Sequence, residues 1–435
     1  MDAPHLQEAR RTQGVRGAFS LLARNGDFRR LYVAQLISFG GDWFLIVALF
    51  PLILHLTHSP VMVAFALAAQ EIPFFLASPF AGVLADRLNR KRLMVVSDLA
   101  RAVLCCGFLL IHDSNTVWLA FVLLILTSSF SSVFEPASTA AVPNLVDPED
   151  LSAANALTGS AWGTMLAIGA ALGGIVAAAF GAHTAFLVDS ASFLLSAVML
   201  SGIHRAMSRP RETEEEHPSV VEATRETFRY SGQDHRVLAL LVVKGGFGLA
   251  AGVLILLPVF STQVFKAGAI GYGILMAARG VGALVGPFLA RWISGPDDRR
   301  LYLAIGLSLA TFGFFYAVFS VTPTLILASI AVLGAHLGGG SQWMLSTYGL
   351  QRIVPDRIRG RVFAFDLAFI TVTITTSSLL TGWGADHFGP RATALGLSVV
   401  ALAWAAAWWT ATRGVRRMPL RADPEKSEGT LASGR

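Results

Sequence analysis

Several ionisable residues lie inside long apolar stretches, where their chemistry differs from that of a surface charge, and five of them are our main candidates for function. Asp42 and Glu71 stand near the middle of two such stretches, and Asp98, Arg101 and Arg279 lie in others. A charge in hydrocarbon is costly, so each should face a partner or a water-filled space. Because a carboxyl group held away from water can take up and release a proton, Asp42 and Glu71 are our candidates for proton coupling. The alternative for both is a permanent ion pair with an arginine or a capping contact with polar backbone.

The other charged residues of these stretches are candidates for binding a substrate or for acting as counter-charges. Asp98 and Arg101 are three residues apart and share a helix face, which favours a salt bridge. Arg279 would attract an anionic group of a substrate or balance a buried acid, with structural pairing as the alternative. We expect Lys244 to extend towards the nearer membrane surface. The weaker candidates are Asp189, Asp366 and His336.

The composition explains why these charges stand out. Of 435 residues, 54% are hydrophobic and only 14% are charged, and the mean hydropathy is +0.59. A water-soluble globule could not hide so much apolar surface. Soluble enzymes, nucleic-acid binders and disulfide scaffolds are therefore excluded, and the adjacent Cys105 and Cys106 are expected to be packing residues.

Twelve apolar segments are each close to the ~20 residues that a membrane helix needs. They predict an all-α integral membrane protein with twelve transmembrane helices. The segments are 31–55, 60–85, 92–112, 117–138, 158–180, 184–204, 237–262, 270–292, 301–320, 323–348, 362–385 and 391–412.

Basic residues predict the orientation of these spans. Arg101, Lys244 and Arg279 lie well inside spans. Lys266 and Arg391 lie in or next to loops on one side, and the rest of the 34 lysines and arginines lie on the other side, in the tails and loops or at the span ends there. Cytoplasmic loops carry such an excess of positive charge. We therefore expect both termini in the cytoplasm and the protein in the cell (inner or plasma) membrane.

The chain is expected to divide into two six-helix bundles. A polar stretch at 205–236 would be a cytoplasmic linker between bundles at 31–204 and 237–412, with tails at 1–30 and 413–435. The halves also echo each other: Gly82 to Arg87 after span 2 corresponds to Gly286 to Arg291 after span 8. Two similar halves around a cavity form the architecture of an alternating-access transporter.

At this point the sequence resembles the major facilitator superfamily over nearly its whole length. The loop after span 2 is similar to the family's G-x-L-A-D-R-x-G-R-K signature, with Asn89 in place of the second glycine, where we expect a left-handed turn. The matching residues are Gly82, Leu84, Ala85, Asp86, Arg87, Arg90 and Lys91.

The resemblance implies a conformational latch at this loop. Gly82 would allow a close helix approach, and Asp86 would meet a helix N-terminus of the other half. The basic residues Arg87, Arg90 and Lys91 would pair with acids, for which Glu135 on span 4 is the best candidate. The alternative is that the positive charges only hold the loop inside.

Two further patterns narrow the resemblance. Gly169, Gly173 and Gly174 on span 5 resemble the family's antiporter signature G-P-x-x-G-G, with Ala170 in place of proline, and would let span 5 pack tightly. Three stretches resemble the macrolide and siderophore exporter branch of bacterial drug/proton antiporters. They are Phe28–Leu31 at the start of span 1, Gly41–Trp43 inside it, and Val354–Val362 before span 11.

The sequence therefore predicts a secondary active transporter, a proton-coupled exporter of amphipathic molecules of the multidrug or macrolide type. The alternatives are an exporter of an endogenous siderophore or secondary metabolite, a lysophospholipid transporter and, in a different class, a non-transporting sensor or scaffold. We expect no enzymatic activity, cofactor, metal or nucleic-acid partner. The expected partners are a small-molecule substrate, protons and the lipid bilayer, and we expect a monomer.

Overall fold

The computed structural model describes residues 15–147, 150–207, 229–230, 232–294, 298–354 and 356–417. Within these ranges the chain forms helices and no strands. Helices α1 to α7 are Val15–Arg24, Gly26–Thr57, Pro60–Arg87, Arg90–Gly107, Val117–Leu145, Leu151–Phe180 and Ala182–Ser201. Helices α8 to α14 are His235–Ala250, Val253–Val259, Gly268–Ser294, Asp298–Val321, Leu325–Ile353, Asp356–Phe388 and Pro390–Ala411.

The helices match the apolar segments of the sequence. Eleven stretches of the described residues are long and apolar enough to cross a membrane; α3 falls at the remaining predicted span, and its described apolar part, Pro60–Pro73, is shorter. The helices α8 and α9 together with a π-helical turn at Phe260–Val264 form one of the eleven. Large apolar side chains such as Phe288 and Ile326 remain exposed, as expected for surfaces that face lipid.

Polar caps mark where several helices begin. The side chains of Asn25 and Thr324 accept hydrogen bonds from backbone N–H groups in the first turns of α2 and α12. Asn89 likewise caps α4 and accepts from the N–H of Arg92 at 3.1 Å. Its φ of −65° shows that the expected left-handed turn is wrong, because the short amide is used as an N-cap instead.

Two glycines reveal the internal repeat in the backbone. Gly181 joins α6 to α7 with φ 85° and ψ 164°, and Gly389 joins α13 to α14 with φ 81° and ψ 160°. This conformation is essentially restricted to glycine. The same rare turn therefore recurs at equivalent places six spans apart.

The described chain divides into two compact units. Unit 1 contains the described residues of Met1–Glu214 together with Leu257–Gly280, and unit 2 contains those of Glu215–Leu256 and Val281–Arg435. In unit 1, α2 packs against α6 and α7, and α4 packs against α5 and α7. In unit 2, α11 packs against α12 and α14, and α8 packs against α12, α13 and α14. Each unit holds its own group of buried charges.

Candidate functional site

Arg101 is the centre of the buried charges of unit 1. Its guanidinium pairs with Asp98 on the same helix and donates to the hydroxyls of Ser131 at 3.0 Å and Ser38 at 3.2 Å. A guanidinium nitrogen also lies 3.9 Å from a carboxylate oxygen of Asp42. Arg101 thereby connects α2, α4 and α5.

The Asp98–Arg101 pair is enclosed. Asp98 is 0% exposed and Arg101 is 2% exposed, and Asp98 accepts a hydrogen bond from Ser196 at 2.5 Å. The guanidinium carbon lies 4.1 Å from the ring centre of Phe193 and 4.9 Å from that of Phe134. A pair with this many fixed contacts suits a structural counter-charge better than a group that binds substrate.

Asp42 has a looser environment than Asp98. Its side chain is 34% exposed, and its described ion-pair contact is the 3.9 Å approach to Arg101. The two carboxylates therefore share one arginine, and Asp42 is the one with an open side. An accessible acid beside a buried arginine can change its protonation state without dismantling the Asp98–Arg101 pair.

Further charges of unit 1 lie within electrostatic range of this centre. Glu71 interacts with Arg279, Glu135 interacts with Arg101 and Glu71, and Asp189 interacts with Asp42. The guanidinium of Arg279 lies 6.0 Å from the ring centre of Trp43, one residue after Asp42. We call this group the charge cluster; its members are Asp42, Glu71, Asp98, Arg101, Glu135, Asp189 and Arg279.

The structure places the predicted latch residues only in part. Gly82, Asp86 and Arg87 lie on α3, but their side chains are outside the described part. Arg90 donates to the carbonyl oxygens of Ala140 and Met207 at 2.8 and 3.2 Å, and Lys91 donates to that of Ile203 at 2.8 Å. The latch therefore stays a prediction, and Glu135, its expected acid, belongs to the charge cluster.

The three glycines of span 5 lie where α6 approaches other helices of unit 1. A Cβ atom on Gly169 would lie 3.1 Å from the carbonyl oxygen of Gly40, and one on Gly173 would lie 2.9 Å from the Cα of Phe44. A Cβ on Gly174 would lie 3.0 Å from the Cα of Gly273. Larger side chains at these positions would separate backbones that are now in contact.

Unit 2 contains a second buried ion pair, which corrects one expectation. Lys244 does not extend to a surface: it is 1% exposed, pairs with Asp366 and donates to the Thr347 hydroxyl at 3.0 Å. Its ammonium nitrogen lies 5.0 Å from the ring centre of Trp343. The expectation was wrong because a buried acid on α13 lies within reach. No sequence signal links two residues 122 positions apart.

The other candidates are packed or not described. His336 is buried and shares a 2.8 Å hydrogen bond with the hydroxyl of Tyr316. Asp189, only a weak candidate in the sequence, is fully buried next to Cys105 and interacts electrostatically with Asp42. The apolar stretches also contain Phe74, Phe75 and Trp162, whose large rings could line an apolar pocket, but their side chains lie outside the described part.

Comparison with known proteins identifies transport relatives. A family model described as a transmembrane secretion effector matches residues 17–422. The putative bacilysin exporter BacE of Bacillus subtilis is 25% identical over 351 residues, which cover 80% of this chain and 86% of that protein. The enterobactin exporter EntS of Citrobacter koseri is 27% identical over 375 residues, which cover 84% and 87% of the two chains.

A solved structure shares the fold. The bacterial homologue of the human lysosomal transporter Spinster superposes with a TM-score of 0.71 at 14% identity, covering 94% of this chain and all of that chain. At this identity the likeness concerns the arrangement of helices alone.

Proposed function

The chain belongs to the transmembrane secretion effector family of the major facilitator superfamily, whose members are transporters and not enzymes, and from this premise we propose that it exports an endogenous siderophore or another secondary metabolite. We further propose that proton entry drives the export in an alternating-access cycle. By the distribution of basic residues, both termini would lie in the cytoplasm.

The relatives favour a metabolite over a broad range of drugs. Both exporters are named for one natural product, bacilysin for BacE and enterobactin for EntS. Multidrug or macrolide efflux, our main expectation from the sequence, has no comparable support, and we keep it as an arm of the experiment.

The charge balance of the cluster carries the proposal of proton coupling. Among the described residues it contains five acids but only two arginines, Arg101 and Arg279. Like charges close together in a low-dielectric region repel strongly, so five carboxylates could not all be ionised beside two cations. Some of the acids must hold protons, and a conformational change that alters their access to water would take up or release them.

The contacts suggest how the roles divide. Asp98 is enclosed with Arg101 and has no open side, so its charge is balanced within the cluster. Asp42 and Glu71 are partly exposed and each has an arginine in electrostatic range, which suits acids that exchange protons with water. Arg279 is then the counter-charge of Glu71, and its positive charge would also attract an anionic group of a substrate.

Transport into inside-out membrane vesicles tests both parts of the proposal. We would measure the uptake of enterobactin, bacilysin, a macrolide and a cationic dye, each with and without an imposed pH gradient. The wild type is expected to accumulate a metabolite only with the gradient, and Asp42→Asn and Glu71→Gln to lose that gradient dependence. Asp113→Asn, in the loop before α5, is the control and should behave as the wild type.

The outcomes separate the two claims. Accumulation of the dye and the macrolide but of neither metabolite would replace metabolite export by drug efflux. Uptake that ignores the gradient in the wild type, or that keeps its full gradient dependence in both acid variants, would remove the assignment of proton coupling.

A further inference from the structure

We propose that Asp189 on α7 is a second proton-binding carboxyl of the charge cluster, which holds a proton and passes it to Asp42 during the transport cycle. The proposal rests on the proton coupling proposed above and extends it to a residue that the sequence ranks low. It follows from what surrounds Asp189 and from how α2 is built at that point.

In the described part of the chain, no cation is in direct contact with Asp189. It is 0% exposed, and its described hydrogen-bond partners are the thiol of Cys105, which donates at 3.1 Å, and the hydroxyl of Ser192 at 3.5 Å. Among the residues that the structure describes, no Lys, Arg or His nitrogen forms an ion pair with it. Asp98 and Asp42, by contrast, both lie beside Arg101.

A fully buried carboxylate needs stronger partners than these. A thiol is a weak donor, and the serine hydroxyl already donates to a backbone carbonyl at 2.8 Å. Burying a charge without a paired cation costs far more than burying a neutral acid. The neutral, protonated acid is therefore the form that this site accommodates.

The structure also brings Asp189 against the backbone of α2 beside Asp42. Gly41 lies directly against the side chains of Asp189 and Ser192, because a Cβ atom at position 41 would collide with both. A glycine is therefore needed at position 41, because only a residue without a side chain lets Asp189 of α7 approach the backbone next to Asp42. The charges of Asp42 and Asp189 act on each other at this approach.

The ionisable groups around Asp189 define a route for its proton. Asp42 faces it from α2, Arg101 and Cys105 face it from α4, and α6 carries no ionisable residue. While Asp42 is ionised it shares Arg101 and repels a charge on Asp189. When Asp42 moves away from Arg101, the O–H bond of Asp189 breaks and the proton joins the Asp42 carboxylate. Arg101, which acts on Asp189 through space and not by contact, then stabilises the new Asp189 carboxylate. Asp42, the acid with an open side, then returns the proton to water.

Infrared spectroscopy of the purified protein tests whether Asp189 holds a proton. At neutral pH the wild type should show a C=O band of a protonated carboxyl group that is absent in Asp189→Asn. In Cys105→Ala, which keeps the acid but removes its thiol donor, the same band should shift. A wild-type spectrum that lacks a protonated-carboxyl band sensitive to either substitution would overturn the proposal, and Cys105→Ala decides the question if Asp189→Asn does not fold.

Transport by reconstituted protein tests whether that proton moves, with enterobactin as the probe. Asp189→Asn mimics the protonated acid, so exchange of labelled for unlabelled probe without a pH gradient should persist. Accumulation driven by a pH gradient should fall at least tenfold. Ser201→Ala, on the same helix but bonded to the carbonyl oxygen of Ala197, is the matched control and should keep gradient-driven accumulation.

Two results would count against different claims. Gradient-driven accumulation that is unchanged in Asp189→Asn would reduce Asp189 to a structural acid and leave the proposed function standing. A wild type that transports neither enterobactin nor bacilysin under a gradient would instead contradict the proposed function, and the infrared bands would still decide whether Asp189 is protonated.

Discussion

Removing one member of the Lys244–Asp366 pair perturbs unit 2 more sharply than any other single change we consider. Lys244→Met leaves the Asp366 carboxylate buried without its cation, and Asp366→Leu leaves the ammonium group without its anion. The double variant Lys244→Met/Asp366→Leu removes both charges and replaces them with apolar groups of similar size.

The expected magnitude follows from the burial of both side chains. They are 1% and 8% exposed, so water cannot replace the missing partner. Breaking a buried pair by removing one partner typically costs about 3–5 kcal/mol, whereas replacing both partners by apolar groups is often neutral or stabilising. The 3.0 Å hydrogen bond to Thr347 and the approach to Trp343 are lost with the lysine, which places Lys244→Met towards the upper end of this range.

Thermal unfolding of the purified protein in one detergent, followed by tryptophan fluorescence, measures this cost. For a unit of this size about 1 kcal/mol corresponds to roughly 2–4 °C, so each single variant should melt about 6–20 °C below the wild type. The double variant should recover most of the loss. Arg24→Met is the control, because Arg24 is 54% exposed in its pair with Asp150 and such surface pairs contribute only ~0–1 kcal/mol.

Two results would refute this reasoning. If both single variants melt within the range of Arg24→Met, the pair is not desolvated in the protein. If the double variant melts as low as the sum of the two single losses, the residues act independently and are not partners.

Two further predictions concern helix packing and pH. Gly173→Ala brings a Cβ atom 2.9 Å from the backbone of α2 and should lower the free energy of unfolding by about 1–3 kcal/mol, which a lower melting temperature would show. Gly396→Ala is the control, because the space around Gly396 is open and the melting temperature should not fall. Equal melting temperatures of the two variants would contradict the close packing at Gly173. Burial acts against ionisation of Asp234, but hydrogen bonds from the side chain and backbone of Arg236 outweigh it and lower the pKa of this carboxyl. Its stabilising effect should therefore be complete above the unfolded pKa of about 4 and lost as the pH falls through the lower folded pKa. The melting difference between wild type and Asp234→Asn should accordingly vanish in acid, and a difference that grows on acidification would show the sign to be wrong.

The identity of the spans and the position of the acids are properties that the sequence determines by itself. Whether a stretch of 20 residues prefers hydrocarbon depends on the composition of that stretch, and an aspartate such as Asp42 in the middle of it is conspicuous without any knowledge of its neighbours. The equivalent glycines Gly181 and Gly389 are likewise local, because the turn between two helices depends on the residues at the turn.

Which charges meet was decided only by the tertiary structure. Three contacts join residues of different helices: Lys244 pairs with Asp366, Asp42 shares Arg101 with Asp98, and Cys105 donates to Asp189. The sequence of a single helix does not show which of these residues has a partner. The partners of a side chain depend on the rotation and crossing of each helix, and many contacts along its whole length determine these together. A lysine that could extend to a surface and a lysine buried beside an acid therefore look alike in the sequence, and only the packing of α8 against α13 distinguishes them.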